Sequence, residues 1–311
     1  MNKLIVSSSP HIREGITTRR IMLDVIIALV PAIIASVIIF GAKAFLLVCV
    51  SVASCVLSEY ISRKVMKRDN TILDLSAVVT GILLALNMPV SINPIIVAFG
   101  GVIAIVVVKQ MFGGIGQNFV NPAIAARIIL MNSFPSKMTS WTPAFSYLGN
   151  VDTLTTATPL ALTKTPELMP GYTELFFGLY GGCIGETCSV ALLIGGVYLL
   201  MRKVITPTIP LVYLGTAAAF SLVLGRNPLI ELLSGGILLA AIFMATDYVT
   251  CPITNNGRII FAAGCGIITI LIRVFGSLPE GASYAVMLMN IMVPLIEKIT
   301  IPRPFGKERK K

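Results

Sequence analysis

The sequence predicts an all-α integral membrane protein of about ten transmembrane helices, arranged as two inverted five-helix repeats. Three observations carry this. Apolar residues make up 56% of the chain and charged ones 12%, with a mean hydropathy of +0.90, whereas a soluble domain holds roughly 25% charged residues. Windows able to cross a hydrocarbon core of roughly 30 Å, which takes about 20 helical residues, recur from end to end. The basic residues lie in short clusters between those windows, as the positive-inside rule requires. The net charge of +10 therefore leaves no basic face for nucleic acid, and lipid is the expected surrounding.

In chain order, residues 1–20 form a cytoplasmic segment carrying Arg13, Arg19 and Arg20. No small-residue cleavage site follows the first apolar run, so a cleaved signal peptide is not expected. Ten windows follow, near 21–40, 44–60, 72–90, 93–111, 118–132, 175–201 with an interruption, 208–224, 229–247, 258–276 and 283–300. The fifth is the shortest and contains Arg127. The chain thus divides into a first membrane repeat (21–132), an external loop (133–174), a second membrane repeat (175–300) and a basic cytoplasmic tail (301–311).

Charge sets the orientation. With the N-terminus inside, 18 of the 24 Lys and Arg residues fall on cytoplasmic segments; the exceptions are Lys43, Arg127, Lys137, Lys164, Arg226 and Arg273. Both termini are then cytoplasmic and the 133–174 loop is external. The repeat rests on Gly81-Ile-Leu-Leu-Ala85, which recurs as Gly236-Ile-Leu-Leu-Ala240. In the span after each copy a glycine precedes a cation by nine residues, Gly100 before Lys109 and Gly264 before Arg273. Two halves of five spans each must be inverted relative to one another.

Intramembrane acids are costly and mark functional candidates. Glu186 is the deepest; Asp24, Asp74 and Asp247 lie near span ends, where snorkelling or a helix terminus accounts for them. At Gly181-Gly-Cys-Ile-Gly-Glu186 the glycines serve close helix packing or mark a broken helix lining a cavity. Asn121-Pro-Ala123 reads as a helix start, with Asn121 as N-cap and Pro122 at the first helical position. The six cysteines show no metal-binding spacing and read as buried small hydrophobes. His11 is the only histidine, so no His-based metal site or catalytic triad arises from this chain. Walker, Rossmann and nucleophile-elbow signatures are absent as well.

The interval from Asn132 to Glu174 has nine threonines and the only tryptophan, Trp141. A loop of that length is functional or disordered. Within it, Thr158-Pro159 reads equally as an N-cap followed by a first-turn proline or as part of a cofactor site. On residues alone, a small-solute channel and a structural membrane anchor also stay open.

Asp152-Thr-Leu-Thr155-Thr-Ala157-Thr158 resembles the flavinylation motif Asp-x-x-Ser/Thr-x-Ala-Thr. That motif belongs to the family of D subunits of Rnf complexes and B subunits of sodium-pumping NADH:quinone reductases. Ser8–Met22, Asn121–Ala123, Phe243–Asp247 and Thr250–Thr254 agree with it too, and the length and short N-terminal region are closer to the Rnf members. The resemblance implies an electron-carrying subunit of a translocase in a bacterial or archaeal cytoplasmic membrane, coupling ferredoxin oxidation and NAD+ reduction to Na+ or H+ transport. It implies FMN esterified through its 5′-phosphate to Thr158 by a separate flavin transferase, with Asp152, Thr155 and Ala157 as motif residues. Thr156 stands where many relatives have glycine, at a variable position of the motif. The resemblance also implies other Rnf subunits as partners, supplying iron–sulfur centres and the NAD site, and a noncovalent riboflavin, for which Asp247 and its neighbours are candidates.

Overall fold

Asparagine and threonine caps decide where several of the helices begin. The computed structural model describes residues 17–148, 159–162, 170–276 and 280–302, and no strand occurs among them. The principal helices are α1 (Thr18–Phe40), α2 (Ala42–Val65), α3 (Ser76–Leu86), α4 (Pro94–Val102), α5 (Pro122–Ser133), α6 (Ser189–Met201), α7 (Thr208–Val223), α8 (Asn255–Phe275) and α9 (Ala282–Thr300). α4 runs on as a π-helical segment, Ile103–Gln110. Thr17 caps α1 and Thr254 caps α8. An Asn-Pro pair opens α4, α5 and the short helix Pro228–Leu233, the asparagine accepting the N–H of Ile95, Ala123 and Leu229 respectively. The proline stands where its missing N–H costs nothing, and the N-cap expected at Asn121 is present.

Four helices, α1, α2, α8 and α9, are long and apolar enough to cross a membrane. Their lipid side is visible in the exposure pattern: Leu23, Ile27, Val30, Ile34 and Ile38 of α1 are exposed while Asp24 and Ser36 are buried. That is the reverse of a soluble amphipathic helix. Where helices meet, glycine allows the contact: a Cβ on Gly195 of α6 would strike the Ala28 carbonyl of α1, and one on Gly266 of α8 would stand 2.9 Å from the backbone N of Ala217 in α7.

Other windows are interrupted. α3 has 11 residues and spans roughly 16 Å, about half of a bilayer core. The 229–247 window breaks into Pro228–Leu233, Ile237–Leu239 and the π-turn Ala240–Met244. Residues 178–188, including Gly181–Glu186, are not helical, the broken-helix alternative of the sequence reading. Exposed backbone polar groups at this depth would be costly, and the breaks satisfy one another: Ile184 N–H donates to Met88 O at 2.9 Å and Gly185 N–H to Leu86 O at 2.7 Å.

Long-range bonds define two ends of the molecule. At one, Arg202 and Tyr198 of α6 bond Asp24 of α1, and Ile253 N–H donates to Glu297 of α9. At the other, Tyr147 donates to Ile38 O, Tyr284 to Asn132, and Asn227 to Tyr172.

Candidate functional site

Thr158, Asp152, Thr155 and Ala157 lie outside the described residues. The residues directly after Thr158 are described: Pro159–Leu162 is a short helix, and Pro159 and Leu160 are buried. Leu160 is seated on the turn Gly235–Gly236, where a Cβ on Gly235 would collide with its Cδ1. Both glycines have left-handed φ, +67° and +68°, so the tight turn and the close approach of Leu160 both require glycine there.

Beneath that turn is a buried charged cluster. The Arg127 guanidinium donates to Asn87 Oδ1 (2.6 Å), Glu186 Oε1 (3.1 Å), Ser283 Oγ (3.0 Å) and Cys183 Sγ (3.3 Å), and also pairs with Glu280. Four of the five partners sit at breaks or starts of segments, and Ser283 stands in the first turn of α9. The one charged residue of the fifth window is thus the centre that gathers α5, the end of α3, the 178–188 stretch and the start of α9. Glu186 also lies against Gly236, where a Cβ would strike its carboxylate. A second cluster is adjacent: Arg273 of α8 donates to Glu231 Oε2 (3.0 Å) and to the carbonyls of Ser234 and Gly235, and Arg226 pairs with Glu231 at 2.9 Å. The carbonyls of the turn that holds Leu160 are therefore fixed by a buried guanidinium.

Cys183, Glu186 and Glu280 bring one ligand atom each within 4.8 Å of one another. Arg127 donates to all three, so these atoms are arranged as the acceptors of a guanidinium and not around a free cation position. Cys55, Cys183, Cys251 and Cys265 are buried and all six cysteines are free; Cys49 is exposed, so the buried-hydrophobe expectation does not extend to it.

Near the other end of the molecule, Glu59 of α2 is buried. It accepts both contacts of Lys109 Nζ (2.9 and 3.0 Å), Gln110 Nε2 (3.0 Å) and Thr71 Oγ1 (2.9 Å). Lys109 also donates to Ser76 Oγ at 2.7 Å. Lys109 and Ser76 line a cleft that continues past Asn118, Asn121, Phe243, Thr246, Asp247 and Tyr248. Asp247 accepts from Val249 N–H (3.4 Å) and Thr250 Oγ1 (3.3 Å) and pairs with no cation among the described residues. The cleft has largely aliphatic walls, with Phe243 and Tyr248 among them, and a mixed donor–acceptor edge, a lining common to cofactor sites. Asp24 is tied into the Arg202–Tyr198 network, in line with a structural role, and Asp74 closes the turn Ile72–Asp74.

Sequence reasoning singled out Glu186 and Asp247 but missed Glu59, Glu231 and Glu280. The signal was partial: Lys109 and Arg273, noted for their spacing from a glycine, are the buried cations that pair with Glu59 and Glu231.

The sequence matches the model of the NQR2, RnfD, RnfE family over residues 5–306. It is 50% identical to the D subunit of the Na+-translocating ferredoxin:NAD+ oxidoreductase complex of Acetobacterium woodii, covering 97% of this chain and 95% of that one. It is 40% identical to the D subunit of the proton-translocating ferredoxin:NAD+ oxidoreductase complex of Clostridium ljungdahlii, covering 99% and 98%. Against the D subunit of an ion-translocating oxidoreductase complex of Escherichia coli the identity is 35%, covering 98% and 99%.

Proposed function

The chain belongs to the NQR2, RnfD, RnfE family, and from that membership we propose that it is the flavin-carrying membrane subunit of an ion-translocating ferredoxin:NAD+ oxidoreductase. In this reading it carries FMN as a phosphoester on Thr158 and works only with the other Rnf subunits, after maturation by a flavin transferase. The observation that carries it is the motif Asp152–Thr158 in a chain that covers its D-subunit relatives over nearly their whole length. Identity of 35–50% to three D subunits over nearly their whole length favours the D subunit over the B subunit of sodium-pumping quinone reductases.

A threonine hydroxyl is the group a phosphoester needs, and FMN bound there would supply reversible redox chemistry. The chain's own residues supply position. Leu160, anchored on Gly235–Gly236, ties the end of the motif to a turn whose carbonyls Arg273 holds. Arg127 and Glu186, which bond one another at 3.1 Å, lie just below that turn, with Glu186 against Gly236. A noncovalent riboflavin is assigned to the cleft bounded by Lys109, Asn118, Phe243 and Asp247: the apolar walls fit a planar ring, and the amides and carboxylate fit its hydrogen-bonding edge.

The same reading places both termini in the cytoplasm and the 133–174 loop outside, and divides the membrane part into inverted repeats at 21–132 and 175–300. Support for the repeats comes from equivalent contacts of their cations: Lys109 donates to Ser76 and Arg273 to Glu231, each five residues before the repeated glycine.

The test is denaturing electrophoresis under ultraviolet light of protein made with the flavin transferase. A fluorescent band is expected, dark in Thr158→Val and bright in Thr156→Val, whose position the motif leaves variable. A wild-type band without fluorescence sinks the covalent-flavin reading, and a bright Thr158→Val band moves the site. Mass spectrometry of the peptide containing Thr158 should carry the mass of FMN less water.

A further inference from the structure

We propose that the basic pocket where the end of α2 meets the glycine turn 111–118 binds the phosphate headgroup of an anionic phospholipid. Arg63, in the last turn of α2, is only 9% exposed. Its guanidinium lies against Gly114, where a Cβ would collide with it. Its Nε is buried without a hydrogen-bond partner, and no carboxylate among the described residues pairs with it. Glu59, four residues earlier, is already occupied by Lys109, Gln110 and Thr71. Two buried cations, Arg63 and Lys109, therefore face one buried carboxylate. An uncompensated charge in a low dielectric is expensive, so an anion from outside the chain completes the site.

The surroundings specify the anion. Gly113, Gly114 and Gly116 all have positive φ. The turn's own bonds use the N–H groups of Gly113, Gly114 and Gln117, leaving those of Ile115 and Gly116 without a backbone acceptor. Such turns form concave N–H surfaces for anions. The space beside Gly116 is open. Arg68 donates to Gln110 O at 3.3 Å, which brings another guanidinium beside the turn. Arg63, Lys64, Lys67 and Arg68 place four cations within six residues across the end of a membrane-long helix, the composition that recognises anionic headgroups. Arginine matches phosphate through a two-pronged fork. Beside the pocket, Ile61, Val65, Met111 and Phe112 are exposed, and Phe112 stacks edge-on against Phe119 at 4.9 Å. This apolar surface suits acyl chains and distinguishes a lipid from a free anion.

The experiment is native mass spectrometry of the full chain, delipidated in neutral detergent and titrated with phosphatidylglycerol, phosphatidylcholine or inorganic phosphate. One phosphatidylglycerol is expected to bind with a Kd about tenfold lower than that of phosphatidylcholine. Arg63→Gln should lose that preference, Arg68→Gln should weaken it, and Lys137→Gln, at the opposite end, should leave it unchanged. Melting in detergent guards against misfolding: wild type should gain stability from phosphatidylglycerol, and Arg63→Lys, which keeps the charge without the fork, should gain less. Equal affinity for the two lipids overturns the proposal. So does inorganic phosphate that displaces the lipid at equal concentration, or undiminished lipid preference in both Arg63→Gln and Arg68→Gln.

Discussion

Arg127 shows how much one side chain can hold together in a membrane. It stands between Glu186 and Glu280 with both carboxylates buried, so removing it leaves two unpaired acids next to one another. Breaking a buried pair from one side costs about 3–5 kcal/mol. Arg127→Gln is therefore expected to melt far below wild type in detergent, or to fail to accumulate. Glu280→Gln should be much milder, because Arg127 keeps Glu186, Asn87 and Ser283 as acceptors and one like charge is gone. Equal melting temperatures for wild type and Arg127→Gln would remove the cluster from the stability argument. The cluster could not be read from the sequence. Its members lie 40 to 156 residues from Arg127, and local pattern says nothing about partners at that separation. Intramembrane cost flagged Glu186 correctly, but Glu280 sits beyond a span end and carried no such flag.

At the scale of elements, the apolar windows were legible because lipid demands them, whereas of the breaks only the interruption within 175–201 was. α3 stops at Leu86, where Asn87 and Pro89 interrupt the apolar run. Pro89 is a local stop signal, but the pairing of Leu86 and Met88 with residues 184 and 185 forms only once the fold has assembled. Asn-Pro starts, by contrast, are local and readable: the rule applied at Asn121 also opens α4 and Pro228–Leu233. Small residues give a sharper test of packing. Gly195 faces the backbone of Ala28, whereas Gly215 of α7 has nothing within 4 Å of a built Cβ. Gly195→Ala should push α1 and α6 apart at a cost of about 1–3 kcal/mol. Gly215→Ala should be neutral or stabilise by up to about 1 kcal/mol, since alanine restricts the unfolded chain. Thermal melting of the two variants side by side decides it, and equal effects would mean that close approach does not set the α1–α6 contact.

For the whole molecule the outstanding variable is orientation, and geometry makes it testable with few labels. Arg202 and Tyr198 tie the end of α6 to Asp24 near the start of α1, and the cleft joins Ile21, Lys109, Val204 and Asp247. The clusters at Arg63–Arg68, Lys109 and Arg202–Lys203 therefore share one end of the molecule. The 133–148 stretch bonds the other end, at Ile38 and Ser91. In the proposed topology, which rests on the positive-inside rule, the first end is the cytoplasmic one, and the proposed site of Thr158 faces outward. In a background with Cys49→Ser and Cys188→Ser, which removes the two cysteines that are not buried, an exposed reporter at Lys137→Cys should react with a membrane-impermeant maleimide on intact cells. One at Lys298→Cys, exposed at the end of α9, should react only after the membrane is opened. The reverse pattern would turn the molecule over, carry Thr158 to the inside, and oblige flavin attachment to occur there. Labelling of both reporters on intact cells would contradict the two-ended arrangement itself, because no single crossing of the membrane could separate them.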